Sequence, residues 1–363
     1  MKLVVFGLGY SAAVFARRMA PRAERIVATK RDPGTWSHPP LTENPVDGSI
    51  RDVGRLPSPS RGRWPERSGG PDGGQGARAE VGAGGAPPTP GPSPQGGGEA
   101  RAAPLQQLVD AVMSEGGGSL VLRAFPGEEV ALAADIAEAD AILVSVPPGR
   151  EGDPVLAAFA GAIAAAPRLR WLGYLSTVGV YGDHGGAWVD ETTPPRPRKG
   201  RSDDRLLAEE AWLRLQREHG VPVHIFRIAG IYGPGRSAFD KLAAGTAKRI
   251  VKPGQVFNRI HVEDIAAVLE ASLDRPRPGA IYNLADDEPS PPQDVIEEAA
   301  RLAGLPLPPE VPLAEAGLSP MGLSFWGETK RVSNRLIREE LGVELIAPTY
   351  REGLRAILRL RSE

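Results

Sequence analysis

The sequence predicts an α/β fold, a doubly wound parallel sheet with helices on both faces and a smaller C-terminal lobe. Three observations predict it. The chain opens on a β-branched apolar run that leads directly into a glycine-rich turn and a helical pattern. Short apolar runs then alternate with helical segments. Finally, 363 residues with 41% hydrophobic and 24% charged side chains suit one large core rather than a small module.

The opening run, Lys2–Phe6 (KLVVF), is predicted to be a buried strand, and the pattern G-x-G-x-x-A follows it at once. Gly7 permits a tight turn, and Gly9 lets the backbone approach a pyrophosphate. Ala12 keeps the next helix close to the strand. Strand, glycine turn and helix in this order predict a Rossmann-type dinucleotide site. The residues predicted to contact the cofactor here are Gly7, Gly9, Tyr10, Ser11 and Ala12.

The second predicted strand, Arg25–Thr29, decides which dinucleotide is favoured. An NAD site usually places a carboxylate at the end of this strand for the ribose 2′-hydroxyl. Thr29, Lys30 and Arg31 stand there instead, and cations with a hydroxyl suit a 2′-phosphate. We therefore favour NADP, while Asp32, one residue later, leaves NAD as the alternative.

Glycine and proline are unusually frequent, and one segment contains much of the excess. Gly 44 and Pro 37 make up about 22% of the chain, where about 12% is usual. Residues 48–104 hold 15 Gly and 10 Pro in 57 positions, without a helical or strand period. Such a segment cannot bury enough apolar surface to offset the entropy of ordering. We predict a disordered insert over 48–104.

After the insert the alternation resumes. A helix is predicted over Leu105–Met113, and strands over Ser119–Ala124, Ala141–Val146 and Trp171–Ser176. Open parallel sheets bind ligands at the carboxyl ends of their strands. The residues expected at the end of the fourth strand, next to the cofactor, are Ser145, Val146 and Pro147.

Charge and composition exclude several classes of partner. A net charge of −2 provides no overall basic field for nucleic acid or an acidic membrane. The absence of cysteine excludes disulfides, thiolate metal sites and cysteine nucleophiles, and no His/Asp/Glu cluster has metal-ligand spacing. We expect a cytoplasmic protein with a small-molecule substrate and no metal.

Five further motifs follow in order: STVGVYG at 176–182, Asp190-Glu191, RIAGIYGPG at 227–235, RIHVEDIA at 259–266 and YNLADDE at 282–288. Together they resemble the extended short-chain dehydrogenase/reductase family, of the NAD-dependent epimerase/dehydratase type. The resemblance implies a Rossmann domain over 1–233, interrupted by the insert, and a substrate lobe over 234–363 that returns to the sheet. It also implies substrates such as sugar nucleotides, and a homodimer.

The resemblance also implies a catalytic set. Thr177 occupies the place of the hydroxyl that hydrogen-bonds the reacting oxygen, with Ser176 beside it as a substrate contact. The family's Tyr-x-x-x-Lys pair falls at Arg201 and Arg205, just before a helix predicted over Leu206–His219. A guanidinium does not deprotonate in proteins, so Arg201 cannot be the general acid or base.

Three interpretations of this departure remain open. Another group could replace the tyrosine, the candidates being Tyr181, His184, Asp203 and Asp204. The two arginines could instead bind an anionic substrate for different chemistry. Or catalysis could be lost and cofactor binding kept, as in a sensor or regulatory protein.

The remaining candidates are two arginines and one helix start. Arg236 and Arg259 are predicted to hold a substrate phosphate. His261 and Asp264 are expected to pack and cap a helix. The sequence therefore predicts an NAD(P)-dependent oxidoreductase or epimerase acting on a sugar-like or polar carbonyl compound, with NAD(P) binding without turnover as the alternative.

Overall fold

Apolar, β-branched runs form a central sheet of seven parallel strands in residues 1–31 and 118–362, the part of the chain that the computed structural model describes. Strands buried on both faces read as continuous apolar runs, as these do. The strands within the described residues are β1 (Lys2–Phe6), β2 (Arg25–Lys30), β3 (Ser119–Ala124), β4 (Ala141–Val144), β5 (Trp171–Thr177), β6 (Trp188–Val189), β7 (Val223–Ile228), β8 (Gly230–Tyr232), β9 (Arg249–Val251), β10 (Arg259–His261), β11 (Ile281–Leu284), β12 (Glu310–Pro312) and β13 (Arg331–Val332).

The order across the main sheet is β11-β7-β5-β4-β1-β2-β3, and every pair is parallel. β1 lies between β2 and β4. The strand order therefore runs in one direction from β1 through β2 and in the other from β4 onwards, so the connections leave β1 and β4 towards opposite sides. Such a switch point opens a crevice at the carboxyl ends of the strands. The glycine turn after β1 and Ser145 after β4 both lie at this crevice. The α/β doubly wound prediction is confirmed.

Helices cover both faces of the sheet. They are α1 (Tyr10–Met19), α2 (Glu129–Ala137), α3 (Pro154–Ala164), α4 (Arg201–His219), α5 (Ala238–Ala243), α6 (Val262–Asp274), α7 (Pro292–Leu302), α8 (Pro320–Phe325), α9 (Arg335–Glu339) and α10 (Tyr350–Ser362). On one face α1 packs along α6, and on the other α2, α3 and α4 pack in sequence. None of the described helices combines the length and the apolar character that a membrane span needs.

Two apolar clusters stabilise this architecture. The larger joins the sheet to α2, α3 and α4, with Phe6, Tyr174 and Trp212 fully buried in it. The smaller lies among later elements and includes Phe239, Ile296 and Tyr350. Three two-stranded sheets, β8–β10, β9–β12 and β6–β13, accompany these later elements.

Four elements differ from the sequence prediction at one boundary, and two of them, β2 and β5, end one residue later, at Lys30 and Thr177. β4 ends at Val144 rather than Val146, although the Ser145 amide still donates to the Phe6 carbonyl. The helix predicted to begin at Leu206 begins at Arg201, because Gly200 adopts a positive φ of 115° as its N-cap. Both Arg201 and Arg205 therefore lie in the first turns of α4.

All described residues belong to one compact unit. The insert predicted over 48–104 and the helix predicted over 105–113 lie outside the described residues. The division between 1–233 and 234–363 stays a prediction.

Candidate functional site

The turn after β1 requires glycine at its first position. Gly7 has φ of 84°, and a Cβ there would lie 2.9 Å from Val146 Cγ2 and 3.1 Å from the Val146 amide nitrogen. The Gly7 amide donates to Thr29 Oγ1 at 2.9 Å. Thr29 is buried, so its hydroxyl supports the turn, and the predicted contact with a cofactor phosphate is corrected to this positioning role.

Gly9 has a different reason to be glycine. It is the N-cap of α1 in an extended conformation, and a Cβ there would meet no protein atom within 4 Å. α1 has no side-chain cap and no acidic residue in its first turn. Its first amides have no partner within the helix, and they carry the positive end of the helix dipole. These residues fit the pyrophosphate of a dinucleotide.

The next three predicted contacts differ in their environment. Ala12 is fully buried and Ser11 nearly so, which makes Ala12 a packing residue between α1 and the sheet. The Tyr10 hydroxyl donates to the Pro234 carbonyl at 3.0 Å, and the Arg236 guanidinium lies 5.9 Å from the Tyr10 ring centre. Tyr10 thus connects the glycine turn to the segment GPGR at 233–236, in which Pro234 is 224 residues away in sequence.

Lys30 and Arg31 end the second strand beside this turn, since the Leu8 amide donates to the Thr29 carbonyl at 2.9 Å. Lys30 is half-buried, and burial lowers the pKa of its ammonium. Arg31 is exposed. The alternative residue Asp32 lies outside the described residues.

A cavity of about 1770 Å³ extends from the first turn of α1 across the ends of β5 and β7 to α5, α7 and α8. It is large enough for a dinucleotide and a second ligand. Nine residues singled out from the sequence contribute to its lining: Tyr10, Ser11, Ser145, Ser176, Thr177, Arg201, Arg205, Arg236 and Arg259. Val146 instead packs against Gly7, and Pro147 is exposed outside the lining.

The cavity lining is strongly cationic, in contrast to the chain as a whole, whose net charge is −2. Among the described lining residues, Asp240 and Glu328 are the two carboxylates. The nine cations are Arg198, Lys199, Arg201, Arg205, Arg236, Lys241, Lys248, Arg259 and Lys330. Clefts lined by one sign of charge concentrate ligands of the opposite sign.

Several of these cations are held by neutral oxygens. Arg205 donates to the Leu175 carbonyl, and Lys248 donates to the Ala316 carbonyl at 3.1 Å. Arg259 donates to the Phe257 carbonyl at 3.0 Å and to Ser290 Oγ at 2.7 Å. A carbonyl orients a cation without neutralising it, so these charges remain available to an anion.

Ser176 and Thr177 end β5 at the cavity wall, and their hydroxyls have different partners. Thr177 Oγ1 accepts a hydrogen bond from the Gly179 amide at 3.1 Å, as the cap of the short 3₁₀ helix Val178–Tyr181. Its own proton is left to donate to a ligand. The Ser176 hydroxyl donates to the carboxylate of Glu209 on α4.

Tyr181 was a candidate catalytic residue, and the structure corrects this prediction. Its side chain is fully buried, its hydroxyl donates to Asn283 Oδ1 at 2.8 Å, and it does not contribute to the described cavity lining. Burial raises the pKa of its phenol. The Arg227 guanidinium lies 4.9 Å from the ring centre, so Tyr181 is part of a buried polar cluster.

The other candidate replacements for the missing tyrosine are no closer to the cavity. His184 Nε2 contacts the Tyr181 carbonyl at 3.0 Å, and Asp203 and Asp204 lie in the first turn of α4. The described cavity lining includes none of these three. The predicted capping role is confirmed for His261, which accepts from the Glu263 amide at the start of α6. Asp264 is buried and accepts from the Ile346 and Ala347 amides, so it has the packing role.

The sequence interpretation missed several charged residues, among them Glu209, Arg227 and Lys330. Glu209 and Arg227 form a buried ion pair behind Ser176, and Lys330 donates to the Gly182 carbonyl at 2.7 Å and to Glu328 at 2.9 Å. Glu209 could have been found, because it continues the four-residue spacing of Arg201 and Arg205 along one helix face. No local pattern distinguishes Lys330. Within residues 1–31 and 118–362, no group of three or more side chains is arranged to hold a metal ion.

Comparisons with known proteins agree with this architecture. The model of the NAD dependent epimerase/dehydratase family matches residues 159–285. The curated protein YeeZ of Escherichia coli (strain K12) is 32% identical over 213 residues, which cover 56% of this chain and 74% of that protein.

Two solved structures are similar to this chain at different levels of sequence identity. A functionally unknown conserved protein from Silicibacter pomeroyi DSS is 42% identical, over 98% of both chains, with a TM-score of 0.71. The dTDP-glucose 4,6-dehydratase of Bacillus anthracis, solved in complex with NAD, shares the fold at 15% identity and a TM-score of 0.64, over 100% of this chain and 96% of its own. This chain therefore belongs to the NAD-dependent epimerase/dehydratase family.

Proposed function

We propose that this protein is an NAD(P)-dependent oxidoreductase or epimerase whose substrate is an anionic, sugar-like carbonyl or hydroxyl compound. The observation that carries the proposal is the cavity. It begins at the uncapped N-terminus of α1, passes Thr177, and places nine cations against two carboxylates. A neutral substrate would give such a lining no charge to bind.

The residues around the first turn of α1 would hold the dinucleotide. Gly9 leaves room for the pyrophosphate, the first amides of α1 donate to it, and Ser145 lies on the opposite side of the crevice. The bound nicotinamide supplies hydride acceptance or donation. Lys30 and Arg31 support NADP as the preferred form, since a 2′-phosphate needs cations at the end of β2.

The substrate would lie beside Thr177, whose hydroxyl donates to the reacting oxygen. Arg201 and Arg205, from α4, and Arg236 and Arg259, from the later elements, would bind its anionic groups. A nucleotide sugar offers both a polyol and two phosphates. The dTDP-glucose 4,6-dehydratase that shares this fold acts, by its name, on such a compound.

Cofactor binding without turnover is the second candidate. It is favoured by one observation, that the tyrosine position holds Arg201 and that Tyr181 is buried away from the cavity. The two candidates differ in a measurable way, since the second predicts cofactor binding but no hydride transfer with any substrate. A cytoplasmic homodimer stays a prediction from the sequence.

The proposal is tested by two measurements on the purified full chain. Isothermal titration with NADPH and NADH measures cofactor affinity, and we expect micromolar binding with NADPH preferred. A panel of sugar nucleotides, sugar phosphates and their neutral sugars is then screened by nicotinamide absorbance. Turnover of anionic compounds alone supports the proposal, and turnover of neutral sugars at equal rates refutes the role of the cationic lining. Binding without any turnover establishes the second candidate.

A matched pair of variants tests the cavity charge. Arg236→Met removes a cation from the lining, and Arg214→Met removes an exposed arginine of α4 that does not contribute to it. We expect the first to raise KM for the anionic substrate by about tenfold, as for the loss of one charge-assisted contact. The second leaves KM unchanged.

A further inference from the structure

A buried ion pair lies behind the cavity wall and has no role in the function proposed so far. Arg227 donates to Glu209 through Nη2 at 2.8 Å and through Nε at 3.2 and 3.3 Å to the two carboxylate oxygens. The two residues are 3% and 1% exposed. Burying a charged pair is costly, and a pair of apolar residues would often be at least as stable. Its position beside the proposed substrate cavity suggests a role in catalysis rather than in stability.

Ser176 connects this pair to the cavity. It is 6% exposed, contributes to the cavity lining, and donates its one hydroxyl proton to Glu209. A hydroxyl carries one proton and two lone pairs. With its proton directed at Glu209, Ser176 can only accept a hydrogen bond from a ligand in the cavity. Thr177, the next residue, would instead donate to a ligand, because its oxygen already accepts from the Gly179 amide.

We propose that Ser176 and Glu209 form a proton relay that takes the place of the missing tyrosine, with Arg227 as the residue that positions Glu209. This inference rests on the proposed function, since it needs a hydroxyl or carbonyl substrate beside Thr177 and an oxidised or reduced nicotinamide. The substrate hydroxyl donates to Ser176 Oγ. As its C–H hydride passes to the oxidised nicotinamide, the O–H proton passes to Ser176 and the Ser176 proton passes to Glu209.

This step is balanced. The substrate alcohol loses a hydride and a proton and becomes a carbonyl, the nicotinamide is reduced, and Ser176 ends neutral. Glu209 ends protonated, and reduction of a carbonyl runs the same transfers in reverse. The bidentate contact with Arg227 holds the Glu209 carboxylate in place before the step.

The arginines of α4 and the tyrosines at the cavity are less suited to this task. Arg201 and Arg205 do not deprotonate. Tyr10, Tyr232 and Tyr350 line the cavity, but burial raises the pKa of each phenol above its usual range. The hydroxyl of Tyr10 already donates to Pro234, and that of Tyr232 is directed at the Thr349 carbonyl.

The first arm of the test needs neither cofactor nor substrate. Infrared spectra of protein labelled with carboxyl-¹³C glutamate are compared between the wild type and Ser176→Ala. We expect a shift in the carboxylate band, because Glu209 loses its hydrogen bond from Ser176. Ser272→Ala is the matched control, since Ser272 is a buried serine that accepts from Trp171 Nε1 at 3.1 Å and contacts no glutamate in that bond. An unchanged band in Ser176→Ala overturns the relay.

The second arm uses the substrate found by the screen. Ser176→Ala keeps the ion pair intact, so we expect unchanged NADPH affinity and a kcat lowered by about 100-fold or more, with a smaller rise in KM from the lost hydrogen bond to the substrate hydroxyl. Ser176→Thr, which restores the hydroxyl, recovers most of that loss. In mixtures of light and heavy water the wild-type kcat falls along a curve, because two protons move together, whereas Ser176→Ala gives a straight line or no isotope effect.

The outcomes separate the two proposals. If the wild type turns over none of the panel, the proposed function fails and the relay fails with it. If the wild type turns over a substrate and Ser176→Ala keeps its kcat, only the relay is refuted. Glu209→Gln is expected to lose kcat to the same extent, and the double variant no further. Should Glu209→Gln unfold because Arg227 is left unpaired, Ser176→Ala still decides.

Discussion

Replacing Gly7 by alanine is expected to destabilise the fold, whereas the same change at Gly9 is expected to weaken cofactor binding. At Gly7 the φ of 84° strains any residue with a Cβ, at a cost of about 1–3 kcal/mol. The new Cβ also lies 2.9 Å from Val146 Cγ2 and 3.1 Å from the Val146 amide, and such overpacking costs about 1–3 kcal/mol more. The free energy of unfolding should therefore fall by about 2–6 kcal/mol.

At Gly9 the balance is reversed. Its φ of −90° and ψ of −173° suit alanine, and the added Cβ meets no protein atom within 4 Å. The unfolding free energy should fall by at most about 1 kcal/mol, the usual loss for a poorer N-cap. The methyl group would instead meet the bound pyrophosphate, so NADPH affinity should fall at least about tenfold.

Urea unfolding followed by circular dichroism and titration with NADPH distinguish the two effects. Gly161→Ala is the control, because Gly161 lies within α3 and its Cβ also meets no atom within 4 Å. We expect it to leave NADPH affinity unchanged and to raise the unfolding free energy by about 0.5–1 kcal/mol, because alanine suits a helix interior better than glycine. Equal destabilisation by Gly7→Ala and Gly9→Ala would refute the separate roles, as would full NADPH affinity in Gly9→Ala.

Three further predictions follow from charged groups. Burial raises the pKa of Asp286 to about 8 from an ordinary value of 3.8, so the folded state holds a proton that the unfolded state releases. Its contribution to stability is complete below about pH 4 and lost as the pH rises to about 8, and Asp286→Asn should flatten that slope in urea unfolding. Lys30→Asp with Arg31→Ser should shift the preference from NADPH towards NADH, and an unchanged ratio of the two dissociation constants would contradict the assignment of the 2′-phosphate site. Lys330→Met removes a buried cation of the cavity and should weaken pyrophosphate binding about tenfold in calorimetry, while Lys252→Met, a lysine outside the described lining, should leave it intact.

Local patterns in the sequence predicted the elements of this site well. Lys2–Phe6, the glycine turn and α1 occur where the strand, G-x-G-x-x-A and helix pattern placed them, since neighbouring residues determine a βα turn. The same reasoning predicted β5 up to Ser176, one residue before its end at Thr177. It failed at the start of α4, because a glycine N-cap with positive φ can begin a helix five residues before the apolar pattern does.

Roles that depend on the direction of a side chain were not predictable in this way. Tyr181 and Thr177 are four residues apart in one motif, yet the first is buried against Asn283 and the second faces the cavity. Thr29 similarly bonds Gly7 rather than a ligand. A motif fixes where a residue lies along the chain, whereas packing of the helices on the sheet determines which way it points.

The sequence by itself determined the α/β class and the glycine turn after β1, and it shows arginines, Arg201 and Arg205, at the positions where the family resemblance expects Tyr and Lys. These depend on local conformation and on residue chemistry, which the order of residues specifies directly. Only the tertiary structure brought Lys330 and Arg259 to the same cavity as Thr177, and placed Glu209 and Arg227 behind Ser176. Such contacts join residues that are far apart along the chain, and they form only when the core closes and brings α4, β5 and β7 together.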